Sequence, residues 1–238
     1  MQSVLLKQTK LDYRSREAFK TLRTNVDFAG EELQVVCITS ATPNEGKSSI
    51  AFELARSFAE NGRRTILVDA DLRKSVLRTR GKSGRIRYGL TNILAGQCGI
   101  EEAITETDVE DFHMIFAGPV PPNPSELLSG KRFEKMIESL KADYDMILID
   151  TSPIGSVIDA AVVARRCDGI ILVLKAGAVS YRYARKVKAQ LETSETPLLG
   201  VVLNQVNLSG KGIYGKYYGR YYGKYYGNYY GNYGADEE

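Results

Sequence analysis

Gly46, Lys47 and Ser48 lie between an apolar run that begins at Val35 and a segment with the spacing of an amphipathic helix. A Gly-Lys-Ser sequence in that position is typical of a phosphate-binding loop. In such a loop backbone N–H groups surround the phosphates, the lysine offsets their charge and the hydroxyl meets Mg²⁺. The sequence therefore predicts a nucleotide site. The loop residues predicted to bind the nucleotide are Thr42, Pro43, Asn44, Glu45, Gly46, Lys47, Ser48 and Ser49.

The loop departs from the general pattern at its start, where Ala41 replaces the first glycine. Asn44 offers a partial substitute, because asparagine tolerates the left-handed backbone region better than most residues do. The alternative interpretation is a chance Gly-Lys-Ser in an ordinary strand-to-helix turn. The strand before the loop, the helix after it and two acidic strand ends farther along the chain favour nucleotide binding.

Carboxylates end two further apolar runs. Asp69 and Asp71 close the run TILVDAD, and Asp150 closes the run DMILID. The carboxyl ends of parallel strands meet at one edge of a sheet, where buried carboxylates need hydrogen bonds, a cation or a metal ion. Capping of a following turn is the alternative for the first two. The residues predicted to be catalytic are Lys47, Asp69 and Asp71, and those predicted to bind Mg²⁺ are Ser48, Asp71 and Asp150.

Six apolar runs alternate with helical patterns along the chain. The predicted strands cover residues 33–41, 65–71, 112–117, 145–150, 169–175 and 198–204. Helices are predicted over 14–28, from the Gly-Lys-Ser to Asn61, over 89–96, from an N-cap at Ser125 to near Asp143, and over 159–168 and 180–195. This alternation predicts an α/β fold with a doubly wound, mostly parallel sheet of six strands.

The segment from Leu72 to Tyr88 is rich in Lys and Arg and has little apolar periodicity. Such a composition predicts an exposed, mobile loop. Its cations could simply be solvated, or they could form an electropositive surface near the phosphates or for an acidic partner.

Composition excludes several classes of protein. The chain has 238 residues, a net charge of +3 and a single histidine, His113, which excludes a catalytic triad built on histidine. The low net charge predicts no nucleic-acid partner. Cys37, Cys98 and Cys167 lack the spacing of a metal site and are expected to be small buried hydrophobes in a reducing compartment. With no signal peptide and no apolar run of about 18 residues, we expect a cytoplasmic protein that is not inserted in the membrane.

The end of the chain is a repeat in which glycine recurs every four residues. Ten of the fifteen tyrosines lie in it, and frequent glycine predicts an irregular tail. One interpretation is an aromatic segment that self-associates or stacks on single-stranded nucleic acid. The other is a phosphoacceptor segment, because each phosphotyrosine would add a charge of about −1.5 to −2. The candidate acceptors are Tyr214, Tyr217, Tyr218, Tyr221, Tyr222, Tyr225, Tyr226, Tyr229, Tyr230 and Tyr233.

Four motifs and this tyrosine cluster together resemble the bacterial tyrosine kinases (BY-kinases) of capsule and exopolysaccharide operons; the motifs are SATPNEGKSS, ILVDADLRK, GPVPPNPSELL and MILIDTSP. The resemblance covers nearly the whole chain. It implies a P-loop NTPase fold, ATP and Mg²⁺ as cofactors, and autophosphorylation of the tail in trans. The matching positions are Lys47 and Ser48, then Asp69 and Asp71, and finally Asp150. Related P-loop ATPases suggest Asn204 as an adenine-side contact, with burial at a strand end as the alternative.

The resemblance also implies partners. The Gram-positive type is a cytoplasmic chain held at the membrane by an adaptor of the polysaccharide co-polymerase type, with sugar-nucleotide enzymes as substrates and a tyrosine phosphatase as antagonist. It forms a homo-oligomeric ring, with an octamer as one arrangement, through a helix that here carries Glu17, Lys20 and Arg23. Lys20 stands where that family has arginine, and Ser152 replaces a proline after Asp150.

We therefore predict three regions: an amino-terminal helical region for oligomer and adaptor contacts (1–30), a kinase domain (31–206) and the tyrosine-rich tail (207–238). Two rival functions remain. A partitioning or positioning ATPase of the same superfamily usually has an earlier lysine in the loop, and this chain has none between Val35 and Gly46. A non-catalytic scaffold with a tail phosphorylated by another kinase would not need Asp69 and Asp71.

Overall fold

The computed structural model describes residues 2–7, 11–30 and 32–206. Within these ranges nine strands form one sheet. The strands are β1 (Gln2–Leu6), β2 (Val35–Ser40), β3 (Thr65–Asp69), β4 (Gly81–Gly84), β5 (Thr105–Thr107), β6 (Phe112–Ile115), β7 (Met146–Asp150), β8 (Gly169–Lys175) and β9 (Leu198–Asn204). The helices are α1 (Tyr13–Asp27), α2 (Lys47–Ala59), α3 (Leu90–Ala95), α4 (Ile100–Ala103), α5 (Pro124–Ser129), α6 (Lys131–Asp143), α7 (Asp159–Ala164) and α8 (Tyr181–Glu192).

The strand order is β4-β1-β5-β6-β3-β7-β2-β8-β9. From β6 to β9 all neighbours are parallel, whereas β5 is antiparallel to β6 and β4 is antiparallel to β1. The fold is therefore the predicted α/β fold with a mostly parallel sheet. Strand β2 lies between β7 and β8, so the loop that follows it opens at the centre of the carboxyl edge, where ligands bind in open α/β sheets.

The core lies on both faces of the sheet, as a doubly wound fold requires. On β2, Val35 and Cys37 contact the apolar cluster under α3, α6, α7 and α8. Val36 and Ile38 of the same strand contact the opposite cluster, under α1 and α2. Because successive side chains of a strand point to opposite faces, a strand buried on both faces is apolar at every position. This explains why the central strands could be recognised as continuous apolar runs.

The predicted count of six strands was wrong. The six predicted strands are the parallel ones, and the structure adds β1, β4 and β5 at one side of the sheet. β4 and β5 are short, and β4 has the sequence GKSG, with no apolar side chain. Strand pairing is a backbone interaction, so a strand can form where the side-chain pattern gives no sign of it. Through β1 the first residues of the chain belong to the sheet.

The segment from Leu72 to Tyr88 is mostly exposed, as predicted, but it is not a loop throughout. It contains a short 3₁₀ helix (Leu77–Arg80) and β4, which pairs with β1. Leu77 is fully buried in the cluster under α2 and anchors the segment. One buried leucine and a backbone ladder are enough to order a segment whose other side chains are mostly polar.

The predicted helix from Ser125 to Asp143 is two helices. The predicted N-cap at Ser125 was wrong, because Ser125 lies within α5 and Asn123 occupies the N-cap position without a side-chain capping bond. Pro124 occupies the first helical position, and Gly130 is extended and separates α5 from α6. Proline suits the first helical position because its missing N–H would have no partner there. The helix over 14–28 is confirmed as α1, and Phe19, Leu22 and Val26 form its buried face.

The tyrosine-rich segment and its ten candidate acceptors lie outside the described residues. In the parts of the chain that the structure describes, none of the helices has both the length and the hydropathy needed to span a bilayer.

Candidate active site

The Gly-Lys-Ser loop joins β2 to α2 at the carboxyl edge of the sheet. Asn44 has a φ angle of 66° and Gly46 one of 90°, so both residues adopt the left-handed region. The interpretation of Asn44 as a residue that tolerates this conformation is confirmed. Gly46 caps α2 without a side chain, so no side-chain cap covers the first N–H groups of the helix. An uncapped helix amino terminus with a positive dipole is suited to bind an anion such as phosphate.

Gly46 is also required by the space around it. A Cβ atom there would lie 2.2 Å from Asn204 Nδ2. Asn204 Nδ2 in turn donates to the backbone oxygen of Glu45 at 2.8 Å. Asn204, at the carboxyl end of β9, therefore fixes the backbone of the loop at Glu45.

The carboxylate of Glu45 points away from the cavity described below and accepts two backbone hydrogen bonds. One oxygen accepts from the Thr42 N–H at 2.7 Å and the other from the Lys175 N–H at 3.3 Å. The side chain is almost completely buried. Glu45 thus fixes the turn of the loop and ties it to the end of β8, and the Thr42 N–H is already used in this contact.

A cavity of about 450 Å³ lies in front of the loop. Six of the eight loop residues predicted to bind nucleotide line it, and Thr42 and Glu45 do not. The opposite wall is formed by Asp71, Arg73, Ser152 and neighbouring residues of the two acidic segments. The cavity is thus bounded by the phosphate-type loop on one side and by a carboxylate on the other.

Three carboxylates and one lysine converge beside this cavity. The register of β3 and β7 places Asp69 opposite Asp150. Lys47 Nζ lies 3.0 Å from Asp71 Oδ2, 3.4 Å from Asp150 Oδ1 and 3.1 Å from Ser48 Oγ. The predicted convergence of the strand ends is thus present in the structure.

The pKa values of Asp69 and Asp150 are raised. Burial is the main cause for both. For Asp69, burial and the negative charge of Asp150 raise the pKa to about 8. A hydrogen bond from Ser75 Oγ at 2.5 Å lowers the pKa of Asp69, but by less than these two effects raise it. For Asp150 burial outweighs the nearby Lys47 ammonium, and the pKa rises as well. A single cation does not compensate three neighbouring carboxylates in a buried site.

Lys47 and Asp71 are instead shifted toward their charged forms. Burial alone would lower the pKa of Lys47, but the carboxylates of Asp150 and Asp71 outweigh it and the pKa is raised. Burial would raise the pKa of Asp71, but Lys47 and a hydrogen bond from Ser152 Oγ at 2.8 Å lower it. Both groups are therefore charged at neutral pH and form the ion pair of the site.

Asp150 has one buried oxygen, Oδ2, that has no hydrogen-bond partner among the described residues. A buried carboxylate oxygen without a partner is costly, and a cation would satisfy it. Mg²⁺ is typically bound by one or two carboxylates together with substrate phosphates and water, and the donor set of Asp150 and Ser48 fits that chemistry. The described residues form no group of three or more acidic, histidine or cysteine side chains that could hold a metal ion by themselves.

Another buried carboxylate near the cavity, Asp159, was not predicted from the sequence. Arg73, which lines the cavity, donates through Nε to Asp159 Oδ2 at 2.7 Å and through Nη2 to Oδ1 at 3.2 Å. Ser125 Oγ donates to the same Asp159 Oδ1 at 2.5 Å and accepts from Arg73 Nη2 at 3.0 Å. This Arg73–Asp159–Ser125 cluster ties the segment after Asp71 to the start of α7 and to α5.

Other predicted features lie away from the cavity. His113 contacts Tyr144 Oη through Nδ1 at 3.1 Å.

A larger cavity of about 1170 Å³ lies near the amino ends of β2, β8 and β9, where it is lined by Leu33, Asp168 and Pro197 among others. Its volume is greater, but the converging charges mark the smaller cavity as the candidate site.

The three residues predicted to make oligomer contacts have partners within the chain. Lys20 Nζ pairs with Glu17 Oε1 at 2.7 Å on the exposed side of α1. Arg23 Nη1 donates to the backbone oxygen of Ser57 at 2.8 Å and so fastens α1 to α2. The Glu17–Lys20 pair is exposed, whereas Arg23 contributes to packing inside one chain.

Comparisons with known proteins agree with this geometry. A family model described as an AAA domain matches residues 33–195. Tyrosine-protein kinase CpsD of Streptococcus agalactiae is 43% identical over 214 residues, which cover 89% of this chain and 92% of that protein. The kinase domain of Escherichia coli tyrosine kinase ETK is similar in structure, with a TM-score of 0.79 and 28% identity over 89% of this chain and 92% of that chain.

A third similarity is to a protein of another kind. The septum site-determining protein MinD of Pyrococcus horikoshii OT3, solved in complex with Mg-ADP, has a TM-score of 0.61 and 26% identity, over 76% of this chain and 72% of that chain. The two kinases therefore match a larger share of this chain than MinD does.

Proposed function

The chain belongs to the bacterial tyrosine-protein kinase family, and we propose that it transfers the γ-phosphoryl group of ATP to tyrosines of its own carboxyl-terminal segment in trans. The observation that carries the proposal is the convergence of Lys47, Ser48 and Asp71 at one cavity, with Asp150 behind them at 3.4 Å from Lys47 Nζ. Phosphoryl transfer needs little covalent chemistry from the protein, so positioning and charge are the main requirements.

ATP and Mg²⁺ are the proposed ligands. The β- and γ-phosphates would lie on the part of the loop that lines the cavity, from Pro43 to Ser49, at the uncapped start of α2. Ser48 and Asp150 would hold Mg²⁺, which offsets charge on the phosphates when it is bound. The orphan oxygen of Asp150 supports this assignment, and the complex of MinD with Mg-ADP is a precedent within a similar fold.

Lys47 and Asp71 have coupled roles in this proposal. In the structure the ammonium of Lys47 is held by Asp71 at 3.0 Å. Phosphates on the loop would compete for Lys47, and its departure would raise the pKa of Asp71. Asp71, which lines the cavity, then accepts the tyrosine proton, whereas Asp69 lies behind it and holds the Asp71 N–H at 3.3 Å.

The acceptors are the ten tyrosines from Tyr214 to Tyr233. β9, the last described strand, ends at Asn204, and the side chain of Asn204 contacts the backbone oxygen of Glu45 in the phosphate loop, which supports a tail that begins on the same side of the sheet as the cavity. A segment of about twenty Gly-rich residues has a root-mean-square span near 25 Å, which suits transfer to a neighbouring chain.

The assembly and the setting follow from the family resemblance. We propose a homo-oligomeric ring with contacts through α1, attachment to the membrane through an adaptor, sugar-nucleotide enzymes as further substrates, a tyrosine phosphatase as antagonist and a role in capsule or exopolysaccharide synthesis. The exposed Glu17–Lys20 pair supports a contact through α1. The double variant Glu17→Ala and Lys20→Ala should reduce the mass of the particle in solution, and an unchanged mass would count against α1.

The rival proposal is an ATPase switch like MinD, which the similar fold favours. Such a switch would hydrolyse ATP without modifying tyrosines. The tyrosine cluster is not needed for that function. The non-catalytic scaffold is the other alternative, and it requires a second kinase.

One experiment separates the three. The purified full chain is incubated with Mg·ATP and with the cytoplasmic fragment of its adaptor, and phosphotyrosine is mapped by mass spectrometry beside Lys47→Met. We expect phosphate on the tail of the wild type alone. Phosphate in neither sample, with ATP hydrolysis, would favour the switch. Equal phosphate in both would point to another kinase.

A further inference from the structure

The segment from Arg73 to Arg87, here called the basic segment, has an unbalanced charge. It carries Arg or Lys at positions 73, 74, 78, 80, 82, 85 and 87, and the sequence has no Asp or Glu between Asp71 and Glu101. Of these seven side chains only Arg80 belongs to a residue that is not exposed. Such a run of one sign concentrates a positive potential on one surface.

Few of these cations are compensated from elsewhere. Arg73 pairs with Asp159, and Arg80 contacts Ser49 and the Phe52 ring. Lys74, Arg78, Lys82 and Arg85 form no salt bridge with any carboxylate of the described residues. Elsewhere on the surface, cations such as Arg56, Lys141 and Arg166 do have acidic partners.

The basic segment connects the cavity to an edge of the sheet. Arg73, Lys74 and Val76 line the cavity that contains Lys47. From there the chain passes through the buried Leu77 to β4, which is the outermost strand on that side. A ligand bound along this surface would therefore lead directly to the site of phosphoryl transfer.

The chain itself contains a stretch of complementary charge. Residues 225–238 have no Lys or Arg, end in Asp236, Glu237 and Glu238, and hold five of the ten candidate acceptor tyrosines. The preceding part of the tail carries Lys216, Arg220 and Lys224. Only the terminal stretch is therefore acidic, and each phosphotyrosine would add about −1.5 to −2 to it.

At the β4 end of the basic segment, distance favours the terminal stretch of a different chain. The tail leaves from β9, and β4 is at the other end of the sheet, eight strand spacings away. At about 4.8 Å per spacing this is roughly 38 Å. The connecting residues 207–224 have a root-mean-square span of about 23 Å if they behave as a Gly-rich coil. Residues 207–224 of the same chain would reach β4 only when they are more extended than their average, whereas the tail of a second copy can approach β4 directly.

We propose that the basic segment is the docking surface for residues 225–238 of a second copy of this chain. The proposal rests on the proposed function, because it supplies the acceptor tyrosines to the neighbouring cavity. Its consequence is an order of reaction: the terminal tyrosines, from Tyr225 to Tyr233, are phosphorylated before Tyr214 to Tyr222. Phosphorylation then strengthens the contact, since it adds negative charge to the docked stretch.

The test uses the full chain and a synthetic peptide of residues 225–238 as the acceptor. The docking variant is Arg78→Gln, Lys82→Gln and Arg85→Gln, which changes exposed cations that line neither the cavity nor the loop. The matched control is Lys135→Gln, Arg182→Gln and Lys186→Gln, which removes the same charge from α6 and α8. We expect the docking variant to raise KM for the peptide about tenfold at unchanged kcat, and the control to change it less than twofold.

A second peptide makes the test specific. Changing Asp236, Glu237 and Glu238 of the peptide to Gln should raise KM for the wild type and have little added effect in the docking variant, because both changes remove the same contact. Additive effects, or equal losses in the docking and control variants, would overturn the proposal. Loss of binding to vesicles of phosphatidylcholine with one quarter phosphatidylserine, at unchanged peptide KM, would also overturn it and assign the basic segment to lipid.

The outcome can be separated from that of the proposed function. If the wild type phosphorylates no peptide, the kinase proposal fails. The docking proposal is then tested by fluorescence anisotropy with the same peptide carrying phosphotyrosine at positions 229 and 230. Tighter binding to the control than to the docking variant supports docking, and equal binding contradicts it.

Discussion

Asp150 and Asp159 are two fully buried carboxylates near the same cavity, and their surroundings are opposite. Asp159 accepts two hydrogen bonds from Arg73 and one from Ser125, so both of its oxygens are used. Asp150 has Lys47 at 3.4 Å from one oxygen and no hydrogen-bond partner for the other within the described part of the chain. Asp159 thus has its partners within the folded protein, whereas Asp150 keeps one oxygen for the proposed metal ion.

The comparison of Asp159 with Asp150 distinguishes a buried carboxylate that stabilises the fold from one that is available to a ligand. A buried carboxylate with all of its bonds formed within the protein fixes the elements that carry those bonds, here α5, α7 and the start of the basic segment. A buried carboxylate left short of partners costs stability, and burial raises its pKa. Natural proteins keep such a group where it serves a ligand.

The largest expected effect is the loss of phosphoryl transfer in Asp150→Asn. The amide cannot offer an anionic oxygen to Mg²⁺, so we expect kcat for tail phosphorylation to fall by about 10³-fold. The unfolding free energy of the nucleotide-free protein should stay the same or increase. Kinetics by phosphotyrosine detection and urea unfolding measure the two. A variant that is active and less stable would reverse the assignment of Asp150.

Asp159→Asn should give the opposite result. Its amide would place N–H donors against those of Arg73, so we expect the unfolding free energy to fall by about 3 kcal/mol. The Michaelis constant for ATP should stay within twofold, with a decrease in kcat of about fivefold because the segment after Asp71 loses its anchor. Urea unfolding and initial rates below the transition temperature test this. A thousandfold loss of kcat at full stability would place Asp159 in the chemistry.

Asp69→Asn tests the cost of the acidic cluster. The pKa of Asp69 in the folded protein is about 8, above its usual value, because the folded protein holds the protonated form. The contribution of Asp69 to the free energy of unfolding is therefore fully present below about pH 4 and is lost as the pH rises through 8. Asparagine avoids that loss. The variant should therefore be more stable than the wild type by about 2 kcal/mol at pH 9, with a smaller difference at pH 5. Urea unfolding at both pH values measures it, and a difference independent of pH would contradict the raised pKa.

Ser125→Ala is the smallest change. It removes one hydrogen bond from Asp159 and leaves the contacts of Arg73 with that carboxylate, so a loss of about 1 kcal/mol in unfolding free energy is expected. The thermal shift and the kinetics of the same sample provide the measurement. A loss as large as that of Asp159→Asn would mean that Ser125, rather than Arg73, holds the carboxylate.

Much of the fold could be predicted because the central strands are buried on both faces. Such strands must be apolar at every position, and TILVD, MILID and GIILVLK show this directly. β1, β4 and β5 were missed, because short strands at the side of a sheet depend on pairing partners that are distant in sequence. β1 pairs with β4 between residues such as Val4 and Gly84, and neither segment has a strand pattern strong enough to be recognised alone.

The candidate site divides in the same way. Lys47, Ser48, Asp71 and Asp150 were predictable, since motif spacing and strand ends fix their approximate places. Arg73, Asp159 and Ser125 were not, although Arg73 follows Asp71 by two positions. The sequence separation from Arg73 to Asp159 is 86 residues, and no local pattern links them. Glu45 was predicted as a nucleotide contact, and the structure places its carboxylate inside the loop, away from the cavity.

The sequence by itself determined the chemistry available to this protein: a phosphate-type loop, strand-end carboxylates and a terminal set of tyrosines. These features are local, because loop conformation and strand burial depend on neighbouring residues. Only the tertiary structure decided which charged groups are paired. Lys47 forms salt bridges with both Asp71 and Asp150. Asp159 is paired with Arg73, whereas one oxygen of Asp150 has no hydrogen-bond partner among the described residues. Buried charges interact over a few ångströms across the sheet, and only the packing of distant segments sets those distances.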